Sequence, residues 1–325
     1  MAGLSEIQAV AWENREKTVS DAVSDNIPLL YMLRKKGRVM TITGGRVIWE
    51  DIQYAQNAGV QRIDPTEEIN LNYNQTITGF EYSPKIIVVP VVINALEEAQ
   101  NDGDAAFLDL LDQRNDVAEK SLQNSTEEDL QGDGTGYGGK AFAGVRTYIV
   151  KTTTSGSYGG LARLNYTSIR NASVDLPGTF TGATDSSNVE QRLRYLKNLV
   201  LRQGGPELAL AGQTIFNASC DAMSAKQRFT QDQEMLKANF DNVIIEGMTM
   251  VNASGKVFSG LARIANDQVF GVRLDNFALK MYRNFNFQPV QKRVSVNQLI
   301  EAAITVGIGQ TTCNGAGLSF IGYDS

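Results

Sequence analysis

From Arg38 to Val92 the apolar residues recur at every second position. Val39, Thr41 and Thr43 lead to a Gly44-Gly45 turn, and Val47, Trp49 and the Ile52–Tyr54 stretch follow. A polar, acidic middle, Asn57–Glu68, separates this run from a second one through Ile69, Leu71, Tyr73, Thr76-Ile77-Thr78, Phe80 and Tyr82. Period two on both sides of a polar centre predicts a long β-hairpin excursion. Two strands cannot bury both faces in a monomer, so the excursion is expected to pack on another subunit through Trp49, Ile52, Tyr54, Ile69, Leu71 and Tyr73, the alternative being an edge hairpin folded onto its own domain. Ile86–Ile93, apolar but short and carrying Pro90, reads as a buried strand.

The spacing then becomes three and four. A long amphipathic helix is predicted over Ile93–Asn124, with Gly103, Ala106, Phe107, Leu110, Leu111, Val117, Ala118, Ser121 and Leu122 on one face. Asp102, Asp104, Asp109, Asp112, Arg114, Asp116, Glu119 and Lys120 fill the other positions, with acids gathered near the start, where the helix dipole favours them. Such a helix, roughly 45 Å long, would be the spine of the fold. Ahead of it, Ser5–Ser24 is weakly amphipathic, and Asn26 and Pro28 look like the cap and first position of a short helix over Leu29–Lys36, closed by Gly37. This arm has too little apolar surface to fold alone and is expected to lie across its own chain or a neighbour.

Lys151–Thr184 is rich in Ser, Thr and Gly and reads as loop with short strands. Helices over Ser187–Arg202 and Thr214–Phe229 alternate with strands over Glu207–Ala211 and Val243–Val251, which implies an α/β layer. Strands at Gln268–Val272, Phe277–Tyr282 and Glu301–Gly309 close the chain.

Composition narrows the chemistry. There is no histidine, which removes histidine-based hydrolase mechanisms and most zinc and iron sites. Cys220 and Cys313 are too few and too far apart for a zinc spacing or a disulfide framework, and fit a reducing compartment. A net charge of −6 argues against holding nucleic acid through its phosphates. No run is long enough to span a membrane, and Met1–Val10 lacks the pattern of a signal peptide, so synthesis in the cytoplasm is expected.

One motif invites a nucleotide. Gly134, Gly136 and Gly139 satisfy G-x-G-x-x-G, and Gly134–Lys140 satisfies a phosphate loop up to the last position, where Ala141 stands in place of Ser or Thr. Both motifs need a strand before them and a helix after them. Here a helix precedes and an extended segment, Val145–Val150, is expected to follow, so a flexible turn between two domains is the better reading.

The sequence of elements, together with several short stretches, resembles the major capsid (coat) proteins of tailed bacteriophages, a fold shared with encapsulins. The stretches are Pro28-Leu29-Leu30 to Lys36-Gly37-Arg38-Val39, with Gly44-Gly45 after it; Val91-Val92-Ile93 and Leu96-Glu97-Glu98; Asp109-Leu110-Leu111; Gly132-Asp133-Gly134-Thr135-Gly136 with Gly138-Gly139-Lys140 and Gly144; and Arg283-Asn284-Phe285 with Val294-Ser295-Val296-Asn297-Gln298. The resemblance implies an α+β coat-protein fold. Its parts would be an N-terminal arm (1–37), an extended loop (38–92), a peripheral domain with the spine helix (93–132 and 271–310) and an axial α/β domain (133–270 and 311–325). It implies a structural protein without enzymatic activity, cofactor or metal, which self-assembles into hexamers and pentamers of an icosahedral head around double-stranded DNA, without sequence-specific binding. The implied partners are further copies of itself, a separate scaffolding protein, a portal and a decoration protein, with assembly in the host cytoplasm, the virion capsid as destination and no membrane. An encapsulin-type nanocompartment shell is the alternative, and a nucleotide-binding enzyme built on Gly134–Lys140 the alternative from another class.

Two further expectations follow from the resemblance. Fewer than thirty residues precede Pro28, leaving no room for an internal scaffold that is later cut away. Some relatives weld subunits by an isopeptide bond from a lysine on the extended loop to an asparagine on a neighbour. From Thr41 to Pro84 this chain has no lysine; Arg46 and Arg62 are its cations there, and a guanidinium is no nucleophile. Lys85 is expected at the base of the loop, which leaves non-covalent contacts to hold a shell together.

Overall fold

Two sheets organise the chain. The computed structural model describes residues 27–69, 71, 74–94, 104–175, 186–200, 204–225, 242–254, 264–286, 288–294 and 300–324. The helix expected over Ser5–Ser24 and its neighbour Asn26 lie outside the described residues.

The first sheet has five strands: β1 (Val39–Ile42), β4 (Lys85–Asn94), β12 (Phe277–Tyr282), β13 (Gln288–Val294) and β14 (Ile300–Cys313). The long β14 is its centre. It pairs antiparallel with β12 along one part of its length and with β4 and β13 along another, and β1 joins β12 in parallel. The β1 segment, expected as part of the hairpin, pairs outside it, and β1 and β4 anchor the two ends of the excursion. The two-stranded excursion itself is β2 (Ile48–Gln53) paired with β3 (Ile77–Tyr82). Among the described residues between them no further strand pairing occurs.

The second sheet has six strands in the order β7 (Ala172–Asp175), β15 (Phe320–Tyr323), β11 (Gln268–Val272), β8 (Leu208–Ala211), β10 (Met248–Asn252) and β9 (Asn242–Ile245). A small ribbon, β5 (Ser157–Tyr158) with β6 (Leu161–Ala162), stands apart. In the six-stranded sheet, successive side chains alternate between two cores. Leu208, Leu210, Phe270, Val272 and Ile321 face the arm helix and the hairpin base. Ala209, Ala211, Val269 and Phe320 face a second core with Val189, Leu193 and Leu196 of the helix Ser186–Leu199 and Ile215 of the helix Gln213–Ala225. The segment Val243–Val251, expected as one strand, is the tight β9–β10 hairpin. Its turn residues Glu246 and Gly247 both have positive φ, 52° and 75°, as a primed two-residue turn requires.

The spine helix runs from Asp104 to Gln131, 28 residues and about 42 Å. Its predicted start, Ile93, belongs instead to β4, and its end lies beyond the predicted Asn124. The polar run Asn124-Ser125-Thr126 does not stop it, because the Thr126 hydroxyl donates to the Leu122 carbonyl and the residues beyond are buried. The predicted apolar stripe is only partly covered. Leu122 is buried, whereas Val117 and Ser121 are exposed; the side chains of 104–112 lie outside those described. Arg114 ties the helix to the sheet by donating to the Val92 carbonyl at 2.8 Å.

Candidate subunit interface

The hairpin is rigid at its base and bare at its tip. On β2 the alternation sends Ile48, Glu50 and Ile52 inward and Trp49, Asp51 and Gln53 outward. Inward, Glu50 accepts from Lys280 Nζ at 2.6 Å and from the Thr312 hydroxyl at 2.7 Å, joining the hairpin to β12 and β14. Tyr82 donates to the Cys313 carbonyl at 2.7 Å, and the Phe80 ring stacks on Tyr158 with centroids 5.2 Å apart. Tyr148 donates to the Thr311 carbonyl and meets Tyr82, Tyr158 and Phe277 edge-on. Into this aromatic group comes Arg163, 2% exposed, over the Tyr158 ring and donating to the Tyr148 and Thr147 carbonyls. Burial raises the ionisation of the Tyr82, Tyr148 and Tyr158 hydroxyls far above neutrality and pushes the Cys313 thiol up to about 12. These groups stay neutral and hold the base together; Cys313 offers no thiolate nucleophile.

Outward, the Trp49 ring lies across Gly79 on β3, where any Cβ would come within 2.3 Å of it, and is still 52% exposed. Residues 56–69 are exposed throughout, among them the apolar Val60, Ile63 and Ile69, and Leu71 beyond them is 89% exposed. The six contact residues read from the sequence thus divide. Trp49, Ile69 and Leu71 present themselves to solvent. Ile52 packs against the chain's own core, and Tyr54 meets Tyr166 edge-on at 5.2 Å and donates to the Gln75 carbonyl. Tyr73 lies outside the described residues.

A second apolar surface was not foreseen. β4, read as a buried strand, is covered on one face only. On the other, Ile86 is 61% and Val88 48% exposed, and Pro90 and Val92 continue the row. Their register partners on β14 are Ile308, Val306, Ile304 and Ala302, so the row is the edge of a wider apolar face.

Where the spine helix ends, buried carboxylates join three parts of the chain. Glu127, fully buried, accepts from the backbone N–H of Leu29 at 3.0 Å and of Leu30 at 2.7 Å, and from Gln131 Nε2. The arm helix, Pro28–Lys35, has Ile27 at its N-cap with no side-chain cap; the spine helix supplies one. Asp129 accepts from Phe142 N–H at 3.0 Å and so holds the exit of the glycine turn. Burial raises the Asp129 carboxyl to about 6, against the partial opposition of the Phe142 N–H. Its folded-state value exceeds the unfolded one, so this group binds its proton more readily in the folded chain. Its contribution therefore falls as pH rises from about 4 to 6, by on the order of 2–3 kcal/mol, and is constant above that window. Asp129→Asn, which keeps an acceptor for Phe142, should remove this component. The variant should gain stability relative to the parent at pH 7 and lose that advantage at pH 4, read as the difference in urea midpoints; equal differences at both pH values would contradict it.

The glycine turn does not form a nucleotide cradle. A helix leads into it, and Val145–Tyr148, expected as extended, is a single helical turn starting at Gly144 and stapled by Arg146 N–H to the Gly132 carbonyl. Lys140 is exposed, and no strand–loop–helix unit is present at the turn. Among the described residues no group of three or more His, Cys, Asp or Glu gathers as metal ligands would, and no helix is long and apolar enough to cross a membrane.

No family model and no curated protein matches the sequence. Solved structures do match its shape. The chain superposes on the capsid asymmetric unit of cyanophage A-1(L) with a TM-score of 0.68 at 13% identity, covering 96% of both chains. It superposes on the capsid of an empty GTA particle with a TM-score of 0.62 at 9% identity, covering 99% of this chain and 97% of the other. A holo-SrpI encapsulin complex from Synechococcus elongatus gives 0.57 at 8% identity, covering 98% and 94%. The fold, α+β with an excursion, a spine helix and two sheets, is the one shared by phage capsid proteins and this encapsulin.

Proposed function

We propose that this chain is a structural shell protein, a major capsid protein that self-assembles into hexamers and pentamers of an icosahedral head enclosing double-stranded DNA. What supports the reading is a capsid-type fold over nearly the whole chain, combined with two apolar surfaces, the hairpin tip and the outer row of β4, that a single copy leaves in water. The net charge of −6 suits a wall to which packaged DNA does not adhere. On this reading the partners are further copies, a separate scaffolding protein, a portal and a decoration protein, and assembly takes place in the host cytoplasm. The SrpI match favours a second reading, a nanocompartment shell around protein cargo.

Purified protein, imaged by negative stain and run on a sizing column, should give rings or closed shells. A species that remains a 35.5 kDa monomer at every concentration would overturn the proposal. Nuclease-protected DNA inside particles from infected cells separates a phage head from a compartment filled with protein. The same particles, boiled in detergent, should run as one band near the monomer mass. Lys85 Nζ is engaged with the chain's own Gly139 carbonyl at 2.7 Å, at the hairpin base and not at its reaching end. A ladder of covalent oligomers would contradict this assignment.

A further inference from the structure

Charge is not spread evenly along this chain. From Ile27 to Trp49 the sequence carries Arg34, Lys35, Lys36, Arg38 and Arg46 and not one acid, in a protein whose net charge is −6. The fold keeps these cations together. The arm helix ends in Arg34 and Lys35, and Arg38 leads into β1, which lies parallel to β12 with Ile42 beside Tyr282. Arg283 follows Tyr282, whose hydroxyl donates to the Gly45 carbonyl, so Arg46 and Arg283 leave the far end of the same strand pair. β1 is an edge of its sheet, and its length separates the two groups of cations by about 13 Å. Between them Thr41 and Thr43 are exposed, and a Cβ on Gly44 would meet nothing within 4 Å.

The neighbouring carboxylates are already engaged. Glu207 pairs with Lys36, Glu50 with Lys280 and Asp275 with Arg273. Among the described residues Arg34, Arg38, Arg46 and Arg283 make no ion pair, and all but the half-buried Arg38 are exposed. Cations in the last turn of a helix complement its dipole, which accounts for Arg34 and Lys35 but for neither Arg46 nor Arg283. Guanidinium groups, hydroxyls and open backbone in one row are the donors that phosphate oxygens take. A protein partner is anchored by apolar side chains, and none of those between Arg34 and Arg46 is exposed. We propose that this edge, Arg34 to Arg46 together with Arg283, is a contact for the phosphate backbone of nucleic acid, made without regard to sequence. The acidic remainder of the chain keeps a polyanion off, and the row gives it one place to touch. The proposal rests on the shell reading above, to which it adds that the arm edge faces the enclosed DNA.

The test titrates unassembled subunits, kept dilute enough that a sizing column shows no particles, into a fluorescein-labelled duplex of about 30 base pairs and follows anisotropy between about 50 and 200 mM salt. Contacts from Arg34, Arg38, Arg46 and Arg283 predict a logarithmic salt slope of roughly −3.6, so affinity should fall about a hundredfold over that range. Arg34→Ala, Arg46→Ala and Arg283→Ala lie outside both cores and should stay folded. Each should weaken binding to any sequence and make the slope shallower by about one, whereas Arg192→Ala, an exposed cation on the helix Ser186–Leu199, should change neither. A polyglutamate peptide of matched charge serves as the second probe. Wild type that ignores the duplex, or variants that all keep the wild-type slope, would overturn the proposal. So would a peptide bound more tightly than the duplex, since the partner would then be an acidic protein. Any of these leaves the shell reading standing when the concentrated protein forms particles. Protein that binds the duplex as expected but never leaves monomer size overturns the shell reading and the placement on its lining, and leaves the phosphate contact in place.

Discussion

Deletion of Asn57–Glu68 should abolish assembly while leaving a folded chain. The removed residues are exposed, and what fixes the hairpin lies elsewhere: Glu50 with Lys280 and Thr312, Tyr82 on Cys313, Phe80 on Tyr158, and the Tyr54 N–H donating to the Thr76 carbonyl where the two strands part. The deletion leaves each of these in place and removes no residue of either core. Circular dichroism and the urea midpoint should therefore stay close to those of the intact chain. Assembly is another matter. Apolar groups buried at a subunit contact contribute about 25 cal/mol per Å², and Val60 and Ile63 leave with the segment while Ile69 and Leu71 lose the rigid frame that presents them. On the proposed shell reading the contact recurs in every subunit, so a modest loss per contact would be multiplied over the particle. Closed shells of normal size from the deleted protein would show that the excursion does not carry assembly.

The excursion also shows how far the sequence could be read. Its apolar spacing and its polar middle were legible because each follows from local rules of period and composition. The side to which each residue points was legible only where the strand limits were right. Trp49 and Ile52 differ by an odd number of positions and so must face opposite ways on β2, and only one of them can look outward. The unforeseen surface on β4 has a different cause. Ile86 to Ile93 reads as a buried strand, and in this chain Ile86, Val88 and Val92 on one face are exposed. On the proposed shell reading, hydrophobicity records burial in the assembly and does not distinguish burial by the same chain from burial by another copy. The same ambiguity explains Val117 on the spine helix, which fits the apolar stripe and yet is exposed. The primed turn at Glu246-Gly247 was missed for a local reason, since the apolar runs on either side merge into one strand-like segment when the two turn residues are passed over.

The second large effect concerns the end of the spine helix, where no periodicity could have identified Glu127 as a cap 98 positions from the helix it serves. The first turn of any helix has N–H groups without intrahelical partners; in the arm, Pro28 removes one, and Leu29 and Leu30 direct theirs at the two oxygens of Glu127. Both leucines are almost wholly buried, so water cannot replace the carboxylate when it is removed. Two buried donors left without acceptors, and the loss of a negative charge at the helix's positive end, together amount to about 3 kcal/mol or more. Glu127→Ala should therefore free the arm. Amide exchange at Leu29 and Leu30 should accelerate about a hundredfold where local opening limits it, and the segment around Pro28–Lys36 should become the first site of limited proteolysis. Glu127→Gln keeps an acceptor oxygen but not the charge and should fall between wild type and Glu127→Ala. The arm's buried face, Leu29, Leu30, Met32 and Leu33, meets the same core as Ile48 and Phe80 of the hairpin base, so its release should also loosen the lever on which assembly depends. If Glu127→Ala retains wild-type exchange at Leu29 and Leu30, the apolar face alone docks the arm, and the carboxylate is not what holds it.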